Sequence, residues 1–243
     1  MNIFSKLFSK KEINKPFNTP STEEGVKIVE LYNRFNELLS MSHYVAKSEY
    51  LPIIKEYAEV INYFTVLKNS NMLEQYCQTN NIDKDLANEV ISDFTNIEKI
   101  IDDSNEHYLE KALISEKDYL DNILREVDPV ISLDDDQRKV VLSDEDYSLV
   151  IAGAGAGKTT TVAAKVKYLV ERKNIEPKDI LVISFTNKAV GELRDKINKA
   201  LKIDCPIATF HSTGNAILNI NNPEKLNIVD ESRLYFLLLD YFS

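Results

Sequence analysis

The spacing of apolar positions along the 243 residues changes character once. From Val26 to about residue 128 they recur at helical steps. Leu86, Val90, Phe94, Ile97 and Ile101 follow intervals of three and four, and Leu109, Leu113, Leu120 and Leu124 intervals of four and seven. Breakers are scarce in the same stretch, with no glycine between Gly25 and Gly153 and no proline between Pro52 and Pro129. The pattern predicts about four or five helices, the first opening at Ser21-Thr22-Glu23-Glu24. Residues 1–20, polar and basic with Pro16 and Pro20, read as a flexible arm.

After Asp128-Pro129 short apolar runs alternate with amphipathic segments. Leu149-Val150-Ile151, Ile180 to Phe185 and Ile207 to Phe210 read as buried strands. Residues 158–172 (Val162, Val166, Leu169) and 187–201 (Val190, Leu193, Ile197, Leu201) carry helical spacing. Strands alternating with helices imply a parallel sheet, so the expected fold class is α/β. An all-α helical domain spans residues 21–130, and a P-loop domain built on a parallel sheet spans 131–243.

Composition narrows the function classes. A 44% hydrophobic fraction is ordinary for a chain that buries a core. No apolar run approaches the roughly 20 residues that cross a bilayer, and the first fifteen residues lack the apolar stretch of a secretory signal, so the expected location is the cytoplasm. Cys77 and Cys205 form no metal-ligand or redox pattern and are expected to be buried thiols. His43 and His107 have no Cys or His partner at ligand spacing and read as packing or surface residues. Asp102, Asp103 and Glu106 read as a solvated helix end. The net charge of −10 is uneven, about −9 over 1–130 and about −1 over 131–243. Bulk charge therefore cannot hold nucleic acid, and any such contact is local and comes from the second part.

The strongest chemical signal is Ala152-Gly153-Ala154-Gly155-Ala156-Gly157-Lys158-Thr159, placed between an expected strand and an expected helix. Small residues let backbone N–H groups curl around phosphate oxygens, and the helix N-terminus adds its dipole. Lys158 reaches the β- and γ-phosphates, the Thr159 hydroxyl ligates Mg²⁺, and Thr160 completes the nucleotide-binding set. Lys158 and Thr159 are the residues placed closest to the chemistry. The first motif position is Ala152 rather than glycine. A P-loop by itself specifies a nucleoside triphosphate and no particular reaction.

Flanking segments supply the rest. Leu133-Asp134-Asp135-Asp136-Gln137-Arg138 resembles the Q motif of UvrD/Rep-like superfamily 1A DNA helicases. Ile180 to Ala189, with Phe185-Thr186-Asn187-Lys188, is similar to their motif Ia, and Ala208-Thr209-Phe210-His211-Ser212 to the segment that follows. Tyr108 to Leu124 also looks like the helix preceding the Q motif in helicase IV-type members. The resemblance covers about residues 131–220 and implies a partial RecA-like domain. It assigns the Gln137 amide to adenine, an amide being able to donate and accept at once. It further implies that Phe185 offers a ring for base stacking and that Thr186, Asn187, Lys188, Thr209, Phe210 and His211 lie along the single strand. For Phe210 a core position at a strand end stays an equal alternative. In an open parallel sheet, ligands bind beyond the carboxyl ends of strands, so the loop and both segments are expected on one edge.

The expected function is that of an ATP-dependent 3′-to-5′ DNA helicase, with ATP, Mg²⁺ and single-stranded DNA as ligands. Hydrolysis in this family takes a further carboxylate pair. Asp230-Glu231 closes an apolar run, but that run is short and Ser232-Arg233 stands where the family has Gln-Asp, so the pair is not assigned to catalysis. The chain is accordingly expected to bind ATP and single strands weakly and not to turn ATP over. The alternative is a nucleotide-sensing module whose acidic helices dock on a protein partner such as RNA polymerase or a repair or defence protein.

Overall fold

The computed structural model describes residues 19–40, 42–220 and 231–242, and within the last stretch the side chains of 235, 236 and 238–241. Most of the arm, residues 1–18, lies outside the described residues, as do Asp230 and the side chain of Glu231. The backbone divides into two compact units, each made of two stretches: Met1–Asp121 with Asp134–Ala152, and Asn122–Leu133 with Gly153–Ser243.

The first unit is helical: α1 (Glu23–Ser40), α2 (Lys47–Asn69), α3 (Leu73–Thr79), α4 (Lys84–Thr95), α5 (Ile97–Ser115), α6 (Lys117–Asn122) and, after the chain returns, α7 (Asp135–Leu142). Thr22 opens α1 as expected, its hydroxyl accepting from Gly25 N–H at 3.2 Å. The described residues hold six helices before residue 123, more than the spacing predicted. One reason is that the stripe from Leu86 to Ile101 crosses a helix boundary. Asn96 ends α4, turning its amide and its side chain onto the Ser92 carbonyl, while the stripe keeps facing one core on both sides of the break. That core includes Ile28, Leu31 and Phe64, all fully enclosed, with Leu86, Val90, Ile97 and Ile101. Gly25 is required by close approach: a Cβ there would lie 2.8 Å from both Ile82 Cδ1 and Pro20 Cβ.

Polar ties hold the connecting segments of this unit. Buried Asn105 on α5 clasps one residue of the α1–α2 connection, accepting from Val45 N–H at 2.8 Å and donating to Val45 C=O at 2.9 Å. The free N–H groups at the start of α2 are met by the segment that follows α7. Lys47 N–H donates to Glu145 at 3.1 Å, and Ser48 donates to Asp146 through its amide at 2.7 Å and its hydroxyl at 3.0 Å. Asp121 receives Lys117 at 2.9 Å and Arg138 of α7 at 2.6 Å, and these two hydrogen bonds hold its carboxyl below the usual range.

The strand expected at Leu149-Val150-Ile151 does not form. These residues carry no sheet pairing and are 87%, 50% and 90% exposed. Their composition is that of a strand covered on both faces. A strand, however, exists only through its neighbours, and the sheet pairing found among the described residues joins two other segments.

The second unit carries α8 (Lys158–Glu171), a 3₁₀ turn (Pro177–Asp179), β1 (Val182–Ser184), α9 (Asn187–Arg194), a π-wound turn (Asp195–Ala200), β2 (Ile207–Thr209), α10 (Phe210–Asn219) and α11 (Glu231–Phe242). β1 and β2 run parallel, in the register Val182↔Ile207, Ile183↔Ala208 and Ser184↔Thr209. The alternation of helix with parallel strand is thus present, but each strand is three residues long and Leu181 and Ile183 are exposed, so burial on both faces is not reached. Helix 187–201 also departs from expectation by widening into the π turn after Arg194.

The core of this unit lies where α8 packs against α9 and the π turn. Ala163, Ala164, Val166 and Tyr168 of α8 are buried, as are Val190, Leu193 and Ile197, together with Cys205 and Ile207 at the entry to β2. Arg194 donates to the Ile207 carbonyl at 2.7 Å, tying the end of α9 to β2. The stretch 122–133 buries Ile123, Leu124 and Leu133 and is pinned by Glu126, which lies 2.7 Å from Lys167 of α8. Both cysteines, one in each unit, are buried, and loss of solvent pushes both thiols above their ordinary value.

Candidate nucleotide and single-strand site

The glycine loop enters α8 through two left-handed residues, Gly155 at φ 78° and Gly157 at φ 75°. Glycine adopts that region at no steric cost, which accounts for their place in the motif. A Cβ at Gly153 or Gly155 would meet no atom within 4 Å, so one side of the loop faces open space. Gly157 is the N-cap of α8, and its carbonyl accepts from Thr161 at 2.9 Å through the amide and 3.2 Å through the hydroxyl. The N–H groups of the first turn have no acceptor inside the helix and mark the positive end of its dipole. Lys158 folds back over the loop, its Nζ donating to the Gly153 carbonyl at 2.6 Å. An incoming phosphate oxygen would replace that carbonyl with a charged acceptor, a stronger partner for an ammonium.

Magnesium fits the donor set through a nucleotide. Thr159 and Thr160 are half-buried in the first turn of α8, and no group of three His, Cys, Asp or Glu able to hold a metal occurs among the described residues. One hydroxyl with phosphate oxygens and water suits a small hard cation that arrives with its nucleotide. Ala152 is half-buried, whereas Ala154 and Ala156 are exposed.

The strand register decides where the two aromatic segments meet. With Ser184 opposite Thr209, Phe185 and Phe210 leave adjoining strand ends, 82% and 71% exposed. Neither residue is buried in this structure. Thr186 and Thr209 are helix caps. Thr186 Oγ1 accepts from Ala189 N–H at 3.2 Å, and Thr209 forms a reciprocal box with Ser212, accepting from its amide at 3.2 Å and donating its own amide to Ser212 Oγ at 3.0 Å. Asn187, Lys188 and His211 are exposed beside them.

Gln137 belongs to the first unit, in α7, and it too completes a capping box. Its amide N–H donates to Asp134 Oδ1 at 2.8 Å while its Oε1 accepts from Asp134 N–H at 3.1 Å. The side chain is half-buried and held in one orientation. The spacings Asp134-x-x-Gln137 and Thr209-x-x-Ser212 both carry the capping signature, a local role the motif reading passes over. The sequence reading also missed Lys196, whose Nζ donates to Thr160 Oγ1 at 3.1 Å. Spacing along a regular helix gives no signal for that contact, because it depends on the π turn. His43 lies 2.8 Å from Glu49 and His107 3.7 Å from Glu110.

Residues 133–236 match the family described as the UvrD/REP helicase N-terminal domain. This stretch is similar to the N-terminal domain of UvrD/REP helicases. It begins at the helix of Gln137 and takes in the glycine loop, both strands and both aromatic segments. The chain is similar to a protein named probable DNA helicase from Mycoplasma pneumoniae, 36% identical over 108 residues, 43% of this chain and 20% of the relative. It is 37% identical over 112 residues to a probable DNA helicase II homolog of Mycoplasma capricolum, 44% of this chain and 15% of the relative. To DNA helicase II of Escherichia coli it is 33% identical over 107 residues, 41% of this chain and 15% of the relative. The UvrD/REP-like stretch thus matches a fifth or less of the length of each of these relatives. Among the described residues no helix is long and apolar enough to cross a membrane.

Proposed function

We propose that the chain forms the nucleotide-binding and single-strand-contacting part of an ATP-dependent DNA helicase of superfamily 1A, working 3′ to 5′ as a whole protein. The observation that carries this reading is the glycine loop opening α8 inside the UvrD/REP-type stretch. The loop amides and Lys158 would hold the β- and γ-phosphates, and the Thr159 hydroxyl would help to hold Mg²⁺. Bound Mg²⁺ would neutralise phosphate charge. The cytoplasm is the proposed location, residues 131–243 the ATP-binding part with a RecA-like sheet, and residues 21–130 a separate helical domain.

Phe185, with Phe210 beside it, forms the stacking platform at the strand ends, and Thr186, Asn187, Lys188, Thr209 and His211 line the backbone of a single strand. Stacking depends on ring contact rather than charge, which lets an acidic chain bind a polyanion. Binding is weak and favours single strands over duplex.

Isothermal titration of an ATP analogue with Mg²⁺ tests the nucleotide site. Lys158→Ala is expected to remove binding, and equal affinity for variant and wild type would sink the assignment. ATP turnover by this chain is expected at background, because the residues assigned here include no carboxylate to orient an attacking water. Phosphate release that vanishes in Asp230→Asn or Glu231→Gln would overturn that expectation.

A further inference from the structure

The π turn places a lysine against the first turn of α8. Between Asp195 and Ala200 the helix widens, and Leu201 N–H reaches back five residues to the Lys196 carbonyl at 3.0 Å. Single π turns inside helices re-aim side chains and recur at functional sites. This one is held on both sides. Ile197 is fully buried in the core shared with α8, and Asn198 donates to the Ile203 and Cys205 carbonyls at 2.9 and 3.2 Å, fixing the turn to the chain that enters β2. Lys196, half-buried between these anchors, donates to Thr160 Oγ1 at 3.1 Å, and the neighbouring Asp195 is engaged by Lys199 at 2.7 Å.

The consequence lies in the direction of one proton. A threonine hydroxyl has one hydrogen to donate and two lone pairs. An ammonium has only hydrogens, so Lys196 occupies a lone pair of Thr160 and the hydroxyl proton must point elsewhere. Thr160 follows Thr159 in the first turn of α8. We propose that Lys196 is a positioning residue of the nucleotide site. It holds Thr160 with its hydroxyl proton turned to the α-phosphate and adds a positive charge behind it. The inference rests on the reading of the glycine loop as a nucleotide site.

The test is titration of the whole chain with fluorescent ATP, ADP and AMP in Mg²⁺. Lys196→Met is expected to weaken all three by a similar factor, about tenfold, the scale of one charge-assisted hydrogen bond. Lys196→Arg restores binding. Thr160→Val weakens it as Lys196→Met does, Thr160→Ser does not, and the double variant Lys196→Met with Thr160→Val is no worse than either single one. A loosened loop would lower the melting temperature of the nucleotide-free chain, which is expected to stay unchanged. Wild-type affinity in Lys196→Met, with binding lost in Lys158→Ala, overturns the role of Lys196 and leaves the loop assignment standing. Additive losses in the double variant overturn it too, since the two groups would then act separately. Wild-type affinity in Lys158→Ala removes the loop assignment itself. Should Lys196→Met fail to fold, the Thr160 pair decides: equal binding by the valine and serine variants overturns the proposal.

Discussion

The two units treat the same kinds of apolar residue in opposite ways. In the helical unit Ile28, Leu31 and Phe64 are sealed, and every connecting segment named above is tied down by a side chain. In the second unit the buried residues lie at the seam of α8, α9 and the π turn, at the entry to β2 and in the stretch 122–133, while Phe185, Phe210, Ile217 and Leu218 are exposed. A helix satisfies its own backbone and needs only one packed stripe, so a few helices close on one another. A strand satisfies its backbone only through neighbours, and three-residue strands in a pair cover little on either face. The exposed glycine loop and strand ends lie in the less closed unit.

That contrast can be broken experimentally, beginning with its largest consequence. Phe64→Ala empties the centre of the helical core and is expected to cost about 3–5 kcal/mol in denaturant unfolding. A cost below about 1 kcal/mol would show that core to be loosely packed. Next comes Asn105→Ala, which strands the buried N–H and C=O of Val45 and is expected to cost about 2–3 kcal/mol. If hydrogen exchange at Val45 stays as slow as in wild type, Asn105 is not what holds that connection.

Smaller effects belong to the second unit. Lys167 holds the Glu126 carboxyl below its ordinary range. A depressed carboxylate adds stability above its unfolded pKa and loses it as pH falls through the folded value, so the contribution fades below about pH 4.3. Glu126 is largely exposed, and the gain is modest. Lys167→Met is expected to flatten the acid limb of stability measured from pH 6 to pH 3, and an unchanged slope would remove the pair from the account. Phe185→Ala is expected to change stability least, within about 0.5 kcal/mol, yet to weaken oligo-dT binding at low salt by about 1–3 kcal/mol in fluorescence anisotropy. Should it destabilise the chain and leave DNA binding intact, the ring packs rather than stacks.

Much of the helical unit was legible in the chain because helical periodicity is a local property. The stripe from Leu86 to Ile101 marked the buried face correctly even across the break at Asn96, which the spacing could not reveal. The glycine loop was legible for a similar reason: left-handed Gly155 and Gly157 are demands of local backbone geometry, met by a residue type at a fixed position. The capping roles of Thr186, Thr209 and Gln137 were written in the same local code, beside the functional one.

Only the tertiary structure decided matters that depend on residues far apart. It left Leu149-Val150-Ile151 exposed, because pairing requires a neighbour that composition does not name. It set Phe185 beside Phe210 through the register of two strands separated by a helix and a turn. It also brought Lys196 to Thr160, 36 positions away, through a widened turn that no regular spacing encodes. The sequence by itself determined which segments wind as helices and where left-handed glycines stand, since both follow from the torsional and hydrogen-bonding needs of neighbouring residues. Which side chains share a site depended on packing, where the burial of Ile197 and the pairing of two short strands place groups that the chain keeps apart.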